Sequence, residues 1–408
     1  MIRNTSVVVL SAFTLLAPRP VTAQAARFDD VVRNLRHPDA KVRINAVRLL
    51  REARYPEAIT PMAALINDPL DPIQLEAIAA EMAFFLVEDI PDRKRVALLV
   101  EVRTPGRAAA AFERGPLATW PRPVPVEVIT ALLQAVDDDN QRVRAEAIYA
   151  LGTIARAPLP DAAAPALIKA LDHYDPVIRA AAARVIGRLQ VKAAADALIK
   201  SANDSNATAR YAAMRALGEL HDQRAVQALT DQFNFYGNGE GAWAALEALA
   251  RIGHSSSVPL FTARLADKDP FLRRASAEGL GRTGDKSGVS ALEAGAGNDP
   301  SEMVRAAMAF ALQKLGRNYI TRMVDSMDSA KMVPQIQAYL LELGPPIEKE
   351  LLPRLQEPEP LIRASVAEVL GAIGGAPSLA ALQQLQDKDR DVARAATQAV
   401  ERIKMRQG

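Results

Sequence analysis

The sequence predicts an all-α fold, a right-handed superhelix of about eleven to twelve two-helix repeats. A short line recurs along the chain at intervals of 28 to 37 residues, as in DHYDPVIRAAAARVIGRL from Asp172 and DKDPFLRRASAEGLGRTG from Asp267. Within each line, apolar residues follow the 3.6-residue period of a helix that is buried on one side. Aliphatic and aromatic residues make up 49% of the chain but aromatics only 5%, which favours closely packed helices over a sheet sandwich.

A recurring arginine sets the register of the repeats, and we call its place the slot position. Seven residues after the slot, ten repeats carry Leu, Ile or Met, which indicates one buried helical stripe. Arg114 and Glu401 are the exceptions, so we expect a degenerate third repeat and a polar cap at the end. The twelve slots are Arg43, Leu75, Arg107, Arg144, Arg179, Arg210, Ala242, Arg273, Arg305, Val333, Arg363 and Arg394.

Each repeat is predicted to hold two helices that meet at a short turn. The turn often reads Asp-Pro, as at Asp175-Pro176, because aspartate caps the second helix and proline fits its first turn. Glycine eight residues after the slot, as at Gly218 and Gly281, lets neighbouring helices approach closely. One hairpin cannot bury its own apolar sides, so we expect stacking into an arc on the order of 100 Å long. The residues leave open whether that curve closes.

The N-terminus is interpreted as a signal peptide over residues 1–23. Arg3 precedes an apolar run that is too short to span a bilayer. Small residues place the expected cleavage after Ala23, with Ala25 as the alternative. We therefore expect an exported protein, periplasmic or secreted, that is not integral to the membrane once cleaved.

The cleaved chain is electrically balanced. Residues 1–23 hold two arginines and no acid, which leaves 48 cationic and 48 anionic side chains. Nucleic-acid binding needs a basic surface, so this balance argues against a nucleic-acid partner. The chain has no cysteine, which excludes disulfides and thiolate metal sites. The predicted organisation is N-terminal repeats over 28–114, a proline-rich insertion over 115–126 and C-terminal repeats over 127–408.

The recurring line resembles the HEAT repeat, in the short bacterial form described as the phycobilisome-lyase type. The resemblance covers roughly residues 28–408 and rests on many units that match independently, each close to the pattern D-P-x-V-R-x-x-A-A-x-A-L-G. It implies a superhelical solenoid. It does not by itself imply one function, because this architecture hosts scaffolds, lyases, hydroxylases and DNA-repair proteins.

The slot arginines are the first candidate functional set. They start from the packed face of the second helix, and an acid or amide stands seven residues earlier in several repeats. We expect an internal ladder of Arg–Asp/Asn contacts that joins adjacent repeats, as the resemblance also implies; a basic surface for an anionic ligand is the alternative. The predicted ladder comprises Arg43, Arg144, Arg179, Arg210, Arg273, Arg305, Arg363 and Arg394, with Asp137, Asp172 and Asp387.

A second candidate set faces away from the packed stripe, five residues after the slot. These positions vary between repeats, and in stacked helical repeats the second helices line the concave side. Two successive basic residues are followed by two acidic ones, with an aromatic residue on either side. This pattern is suited to an extended partner segment whose charges are complementary in the same order. A solvated face with an internal row of salt bridges is the alternative. The predicted contact residues are Tyr149, Arg184, Arg215, Glu247, Glu278 and Phe310.

Two stretches interrupt the repeat pattern, and insertions in solenoids often carry function. The first is the insertion around Trp120, and the second runs from Phe233 to Trp243. In the second, Phe235, Tyr236 and Trp243 are candidate partner contacts, unless the rings pack against the array.

No catalytic, cofactor or metal site is predicted. A HEAT-fold hydroxylase would need His-Glu pairs for iron, whereas the four histidines precede Pro, Tyr, Asp and Ser. We therefore expect a non-catalytic scaffold that binds a protein or peptide along its concave surface. A bilin-lyase-like enzyme and a module of an envelope assembly are the alternatives.

Overall fold

A computed structural model describes residues 28–88, 106–159 and 163–407. These residues form α-helices and short 3₁₀ turns, and none of them belongs to a named strand, so the predicted all-α superhelix is confirmed. The predicted signal peptide lies outside the described residues. Across the described part of the chain, no helix combines the length and the apolar character that crossing a membrane requires.

The helices alternate between the first and the second member of each repeat, except that α5, a second helix, follows α4 directly among the described residues. In chain order they are α1 (Phe28–Asn34), α2 (Ala40–Ala53), α3 (Ile59–Ala63), α4 (Asp71–Phe85), α5 (Arg107–Glu113), α6 (Val126–Ala135), α7 (Gln141–Ile154), α8 (Ala164–Leu171), α9 (Pro176–Arg188), α10 (Ala195–Ser201), α11 (Ala207–Leu220), α12 (Val226–Tyr236), α13 (Gly239–Ile252), α14 (Val258–Arg264), α15 (Pro270–Thr283), α16 (Val289–Asn298), α17 (Glu302–Lys314), α18 (Ile320–Asp325), α19 (Val333–Leu343), α20 (Glu348–Leu351), α21 (Pro360–Ile373), α22 (Ala376–Gln384) and α23 (Arg390–Gln407). All twelve slots lie in second helices.

Side-chain caps fix where the second helices begin. Asp39, Asn140, Asp175, Asn206 and Asp269 each accept a hydrogen bond from a backbone N–H in the first turn. These N–H groups have no partner inside the helix, so the caps satisfy them. The turns between the two helices therefore lie in register along one edge of the solenoid.

The second helices pack closely against one another along a single apolar core. A Cβ atom added at Gly218 would lie 2.7 Å from Ala248 Cα, and one added at Gly281 would lie 2.6 Å from Ala311 Cα. Both distances are shorter than a van der Waals contact. Glycine at this position therefore allows the backbones of consecutive repeats to approach, as the sequence predicts.

The last repeat returns to the insertion that follows the third. Arg402 in α23 donates a hydrogen bond to the carbonyl of Leu117, and its guanidinium lies 5.9 Å from the centre of the Trp120 ring. The insertion is itself held by α4, because the Trp120 N–H donates to the Phe85 carbonyl at 2.7 Å. The superhelix thus closes on itself, with its concave face turned inward.

Candidate functional site

The slot arginines join consecutive repeats through the turn of the next repeat. Arg179 grips the carboxylate of Asp204 with two hydrogen bonds of 2.7 Å, while its third contact is to the carbonyl of His173 in its own turn. The two side chains are 14% and 9% exposed. This paired geometry raises the pKa of Arg179 and lowers that of Asp204, chiefly through the shared hydrogen bonds.

The same geometry recurs at three other repeats. The bidentate pairs are Arg43–Asp68, Arg273–Asp299 and Arg363–Asp387. In each case the aspartate also accepts the N–H of the residue two positions later, which orders the turn. Its carboxylate therefore links one repeat to the next while shaping the turn that carries it.

Two predicted ladder acids are wrong. Asp137 and Asp172 lie on the surface, where they pair with Lys169 and Lys200 at 2.6 and 3.1 Å. The partner of a slot arginine stands two residues before the cap of the next second helix, as Asp204 does before Asn206. Asp137 and Asp172 stand three residues before the caps Asn140 and Asp175, one residue too early for the ladder.

Three slot arginines lack the predicted carboxylate. In the repeat after Arg144, His173 stands where the ladder aspartate would be. Arg144 Nε has no hydrogen-bond partner among the described residues. Arg305 keeps only its bond to a turn carbonyl, at 2.7 Å from Asp299 O, and a distant contact to Glu302. Arg394 is exposed at the end of the array, where it pairs with Asp391. Each is a correction to the predicted ladder.

Tyr236 replaces the ladder carboxylate for the remaining slot arginine. Its hydroxyl accepts a hydrogen bond from Arg210 Nε, and its ring packs edge-on against Tyr211 at 5.9 Å. Gly241 leaves room for this ring, because a Cβ there would lie 2.5 Å from it. Tyr236 is thus a structural residue of the ladder rather than an available partner contact.

Trp243 is engaged in a similar way. Its ring packs on Phe271 at 4.3 Å, and its Nε1 donates to Asp269 at 2.6 Å. Phe235, by contrast, is 79% exposed. Of the three aromatic candidates in this stretch, only Phe235 presents most of its surface to solvent.

The C-terminal half of the concave lane is filled by contacts that second helices make with the next repeat and with the one after it. Phe310 is fully buried beneath Tyr339, with the rings stacked at 4.4 Å. Glu278 is buried as well, and accepts a hydrogen bond of 2.6 Å from the Tyr339 hydroxyl. Arg282 then bridges Glu278 and Glu342. Phe310 and Glu278 are therefore wrong as partner contacts, because tight curvature brings Tyr339 over them.

The N-terminal half is closed by equivalent contacts. Tyr149 is buried and packs against Phe112 at 5.4 Å. Arg188, two repeats away, lies 3.5 Å above the same Phe112 ring. Tyr149 is therefore also wrong as an exposed contact. Positions nine residues after the slot, which include Arg188 and Arg282, are the concave residues that the predicted lane omitted; their charged character is the signal that marks them.

The centre of the concave face stays open and carries crowded arginines. Arg184 is 37% exposed and Arg215 46% exposed in their side chains. Arg215 lies 3.4 Å from Glu247, which also accepts a hydrogen bond from Arg274. Burial and then the charge of Arg184 lower the pKa of Arg215, and Arg274 and Arg251 act in the same direction. Arg184 pairs with Glu113 at 3.0 Å, so Arg215 and Arg274 share Glu247 while the other arginines add positive charge around Arg215.

The histidines serve as turn residues. His37 and His173 each accept a backbone N–H two residues later at 3.0 Å through Nδ1, and His254 accepts one at 3.3 Å. His221 ends α11 in a left-handed conformation. No group of three or more potential metal ligands occurs in the described ranges.

Comparison with known families agrees with this geometry. The family model for HEAT repeats matches residues 164–234, 237–313 and 336–401. The chain belongs to the HEAT-repeat family. A single HEAT repeat is matched over 128–157, and the phycobilisome-lyase HEAT-like repeat over 143–173.

The solved structures that match this chain do so at low sequence identity. An engineered protein matches at 19% identity over 92% of this chain and 98% of its own, with a TM-score of 0.40. The CpcE–CpcF complex of phycocyanin lyase from Nostoc sp. matches at 17% identity over 76% of this chain and 100% of its own, with a TM-score of 0.33. YibA from Escherichia coli matches at 17% identity over 72% of this chain and 93% of its own, with a TM-score of 0.38. A search of curated proteins finds no match.

Proposed function

We propose that this HEAT-repeat protein is an exported, non-catalytic scaffold that holds an acidic segment of a partner protein at the centre of its concave face. The observation that carries the proposal is the pair Arg215 and Arg274 on Glu247, with the partly exposed Arg184 close enough for its charge to act on Arg215. Carboxylates of a partner would relieve repulsion among these cations, and Arg binds carboxylates in a defined, often bidentate geometry.

The surroundings of the cluster support a peptide rather than a small molecule. Rings and ion pairs fill the concave face on both sides, at Phe112 and Tyr149 and at Phe310 and Tyr339. A ligand is therefore confined to the central repeats, where partly exposed arginines lie in successive second helices. Such a site recognises an array of charges more readily than one reacting group.

The test is a charge reversal of Arg184→Glu with Arg215→Glu. Both side chains form partly exposed ion pairs, so the folded state should lose little stability. We expect the double variant to lose capture of the partner that the wild-type mature chain retains from cell extracts, with bound proteins identified by mass spectrometry. Arg224→Glu with Arg317→Glu, on exposed residues outside this face, is the matched control. Equal capture by all three forms would contradict the proposal.

Export is tested separately. We expect the protein in the periplasmic or extracellular fraction, with its N-terminus at Gln24, and N-terminal sequencing of the purified protein checks this. An uncleaved chain in the cytoplasm would contradict export without touching the binding proposal.

A lyase-like activity is the second candidate, and the match to the phycobilisome-lyase repeat over 143–173 favours it. Co-expression with bilin synthesis and a phycobiliprotein subunit tests it. Transfer of chromophore to that subunit, above the level seen without this chain, would replace the scaffold proposal.

A further inference from the structure

The turns between paired helices expose most of the large apolar side chains on the described surface. We call the residues seven to two positions before each slot the turn edge. Nine large hydrophobic residues are classed as exposed in the described ranges, and six of them lie on the turn edge. They are Leu70, Tyr174, Val177, Phe235, Phe271 and Leu361. Because every repeat places its turn on the same side of the solenoid, these residues share one edge.

Aromatic rings dominate the central part of the turn edge. Tyr174 is 80% exposed, and Phe235 is almost equally so. Phe271 is held by Trp243 underneath it, and Phe235 by Tyr236 at 5.1 Å. These rings are thus supported from below while one face stays open, which suits a surface that binds rather than one that only folds.

The same edge is acidic. The six turns before the slots at Arg144, Arg179, Arg210, Ala242, Arg273 and Arg305 contain eleven carboxylates and two cations, although the chain as a whole is nearly neutral. Some of these acids are engaged in the ladder or with lysines and arginines of the first helices. Five form no ion pair within 4.0 Å among the described residues. They are Asp138, Asp139, Asp175, Glu240 and Asp269, of which Asp138, Asp175 and Asp269 accept hydrogen bonds from Gln74, Gln141 and Trp243.

We infer that the turn edge is a second docking surface, and that its partner is a protein segment with Lys or Arg at every third residue and apolar residues between them. Cations bind over aromatic faces and next to carboxylates, and their apolar stems cover the rings. Consecutive turns are spaced by roughly 8–10 Å, which about three residues of a polyproline II segment span. That helix has three residues per turn, so cations at every third residue point to the same side and would meet each turn in succession.

The turn edge differs in chemistry from the concave centre. The proposal of a basic partner at the turn edge can therefore be wrong while that of an acidic partner at the concave centre is right, and the reverse. The concave face presents arginines to an acidic segment, whereas the turn edge presents acids and rings to a basic one. A second copy of this chain is a less suitable occupant, because the opposite edge mixes both signs, as at Arg224 with Asp222.

The experiment uses fluorescein-labelled peptides of about 15 residues and the full mature chain, with binding followed by anisotropy. One peptide has Lys at every third position with Leu between; the second replaces Lys by Glu, and the third replaces Leu by Ser. We expect the first to bind most tightly, with affinity falling as salt rises. Tyr174→Ser with Phe235→Ser should weaken it about tenfold or more.

Two further variants complete the test. Asp139→Asn with Glu240→Gln removes two exposed carboxylates that form no ion pair among the described residues, and should weaken binding of the Lys peptide while leaving unfolding unchanged. Leu49→Ser with Val126→Ser, on exposed residues off the turn edge, is the control and should bind normally. Equal binding of the Glu peptide, or binding that only Arg184→Glu abolishes, would overturn the inference. So would self-association in analytical ultracentrifugation that the turn-edge variants abolish, because the edge would then belong to a second copy.

Discussion

Arg402 donates a hydrogen bond to the carbonyl of Leu117, 285 residues earlier in the chain. The arginine is 8% exposed, and burial lowers its pKa to about 10. A nearly buried cation that is held by one carbonyl and one ring is costly on its own. It persists because it joins the last helix to the insertion and closes the superhelix.

Removing this donor should loosen the closure. Arg402→Met keeps most of the apolar stem and loses the hydrogen bond, so we expect faster amide exchange at Trp120 and a loss of about 1–3 kcal/mol in the free energy of unfolding. Hydrogen exchange and urea denaturation measure the two effects. Lys404→Met, on an exposed residue of the same helix, is the control. Unchanged exchange at Trp120 would show that the contact does not hold the insertion.

The ladder predicts different costs for two aspartates that look alike in the sequence. Asp204→Ala should lower the free energy of unfolding by roughly 1.5–3 kcal/mol, because the largely buried guanidinium of Arg179 loses both hydrogen bonds to the carboxylate. Asp172→Ala breaks only the exposed pair with Lys200, for which we expect about 0.5 kcal/mol or less. Urea denaturation of both variants decides the point. Equal losses would mean that the ladder contributes no more than a surface ion pair.

The same pair gives a pH dependence with a defined sign. The hydrogen bonds from Arg179 lower the pKa of Asp204 in the folded state. Its contribution to stability is therefore fully present above the unfolded pKa and is lost as pH falls through the lower folded value. We expect the stability difference between wild type and Asp204→Asn to shrink in strong acid. A difference that grows on acidification would contradict this assignment.

Glu81 should give the free energy of unfolding a pH dependence of the opposite sign. It is fully buried in α4, neither carboxylate oxygen has a hydrogen-bond partner among the described residues, and burial raises its pKa well above the usual range. Stability should therefore fall as pH rises from the unfolded pKa toward the folded one. Glu81→Gln should stabilise the protein at neutral pH and flatten that slope. Thermal unfolding from pH 5 to pH 8 tests this, and a variant that is less stable at pH 8 would refute it.

Two glycine substitutions separate close packing from helix propensity. Gly281→Ala places a Cβ against Ala311 Cα, so we expect a loss of about 1–3 kcal/mol from overpacking. Gly297→Ala, within α16, meets nothing within 4 Å and should be neutral or stabilise by about 0.5–1 kcal/mol. Thermal unfolding compares them. Similar behaviour of both variants would show that the repeats can separate without cost.

The sequence was sufficient for the repeats and insufficient for their curvature. The spacing of Arg43, Arg179 and Arg273 correctly predicts second helices, because helix period and capping are local properties. The partner of each arginine depends on the next repeat, and the fork reaches Asp204 rather than the predicted Asp172. The hydrogen bond that Glu278 accepts comes from Tyr339, two repeats away. Each repeat is rotated slightly relative to the one before it, and these rotations together bring the two side chains into contact. No local sequence pattern predicts the rotations.

The central claim, a closed superhelix that leaves its turn edge and concave centre open, is tested most directly by one distance. The chain has no cysteine, so Pro123→Cys with Lys404→Cys accepts two spin labels specifically, and pulsed electron resonance measures their separation. The account predicts one narrow, short distance that lengthens in Arg402→Met. An open arc of the nine repeats between them, at about 8–10 Å each, would give a broad distribution at several tens of ångströms and would contradict it.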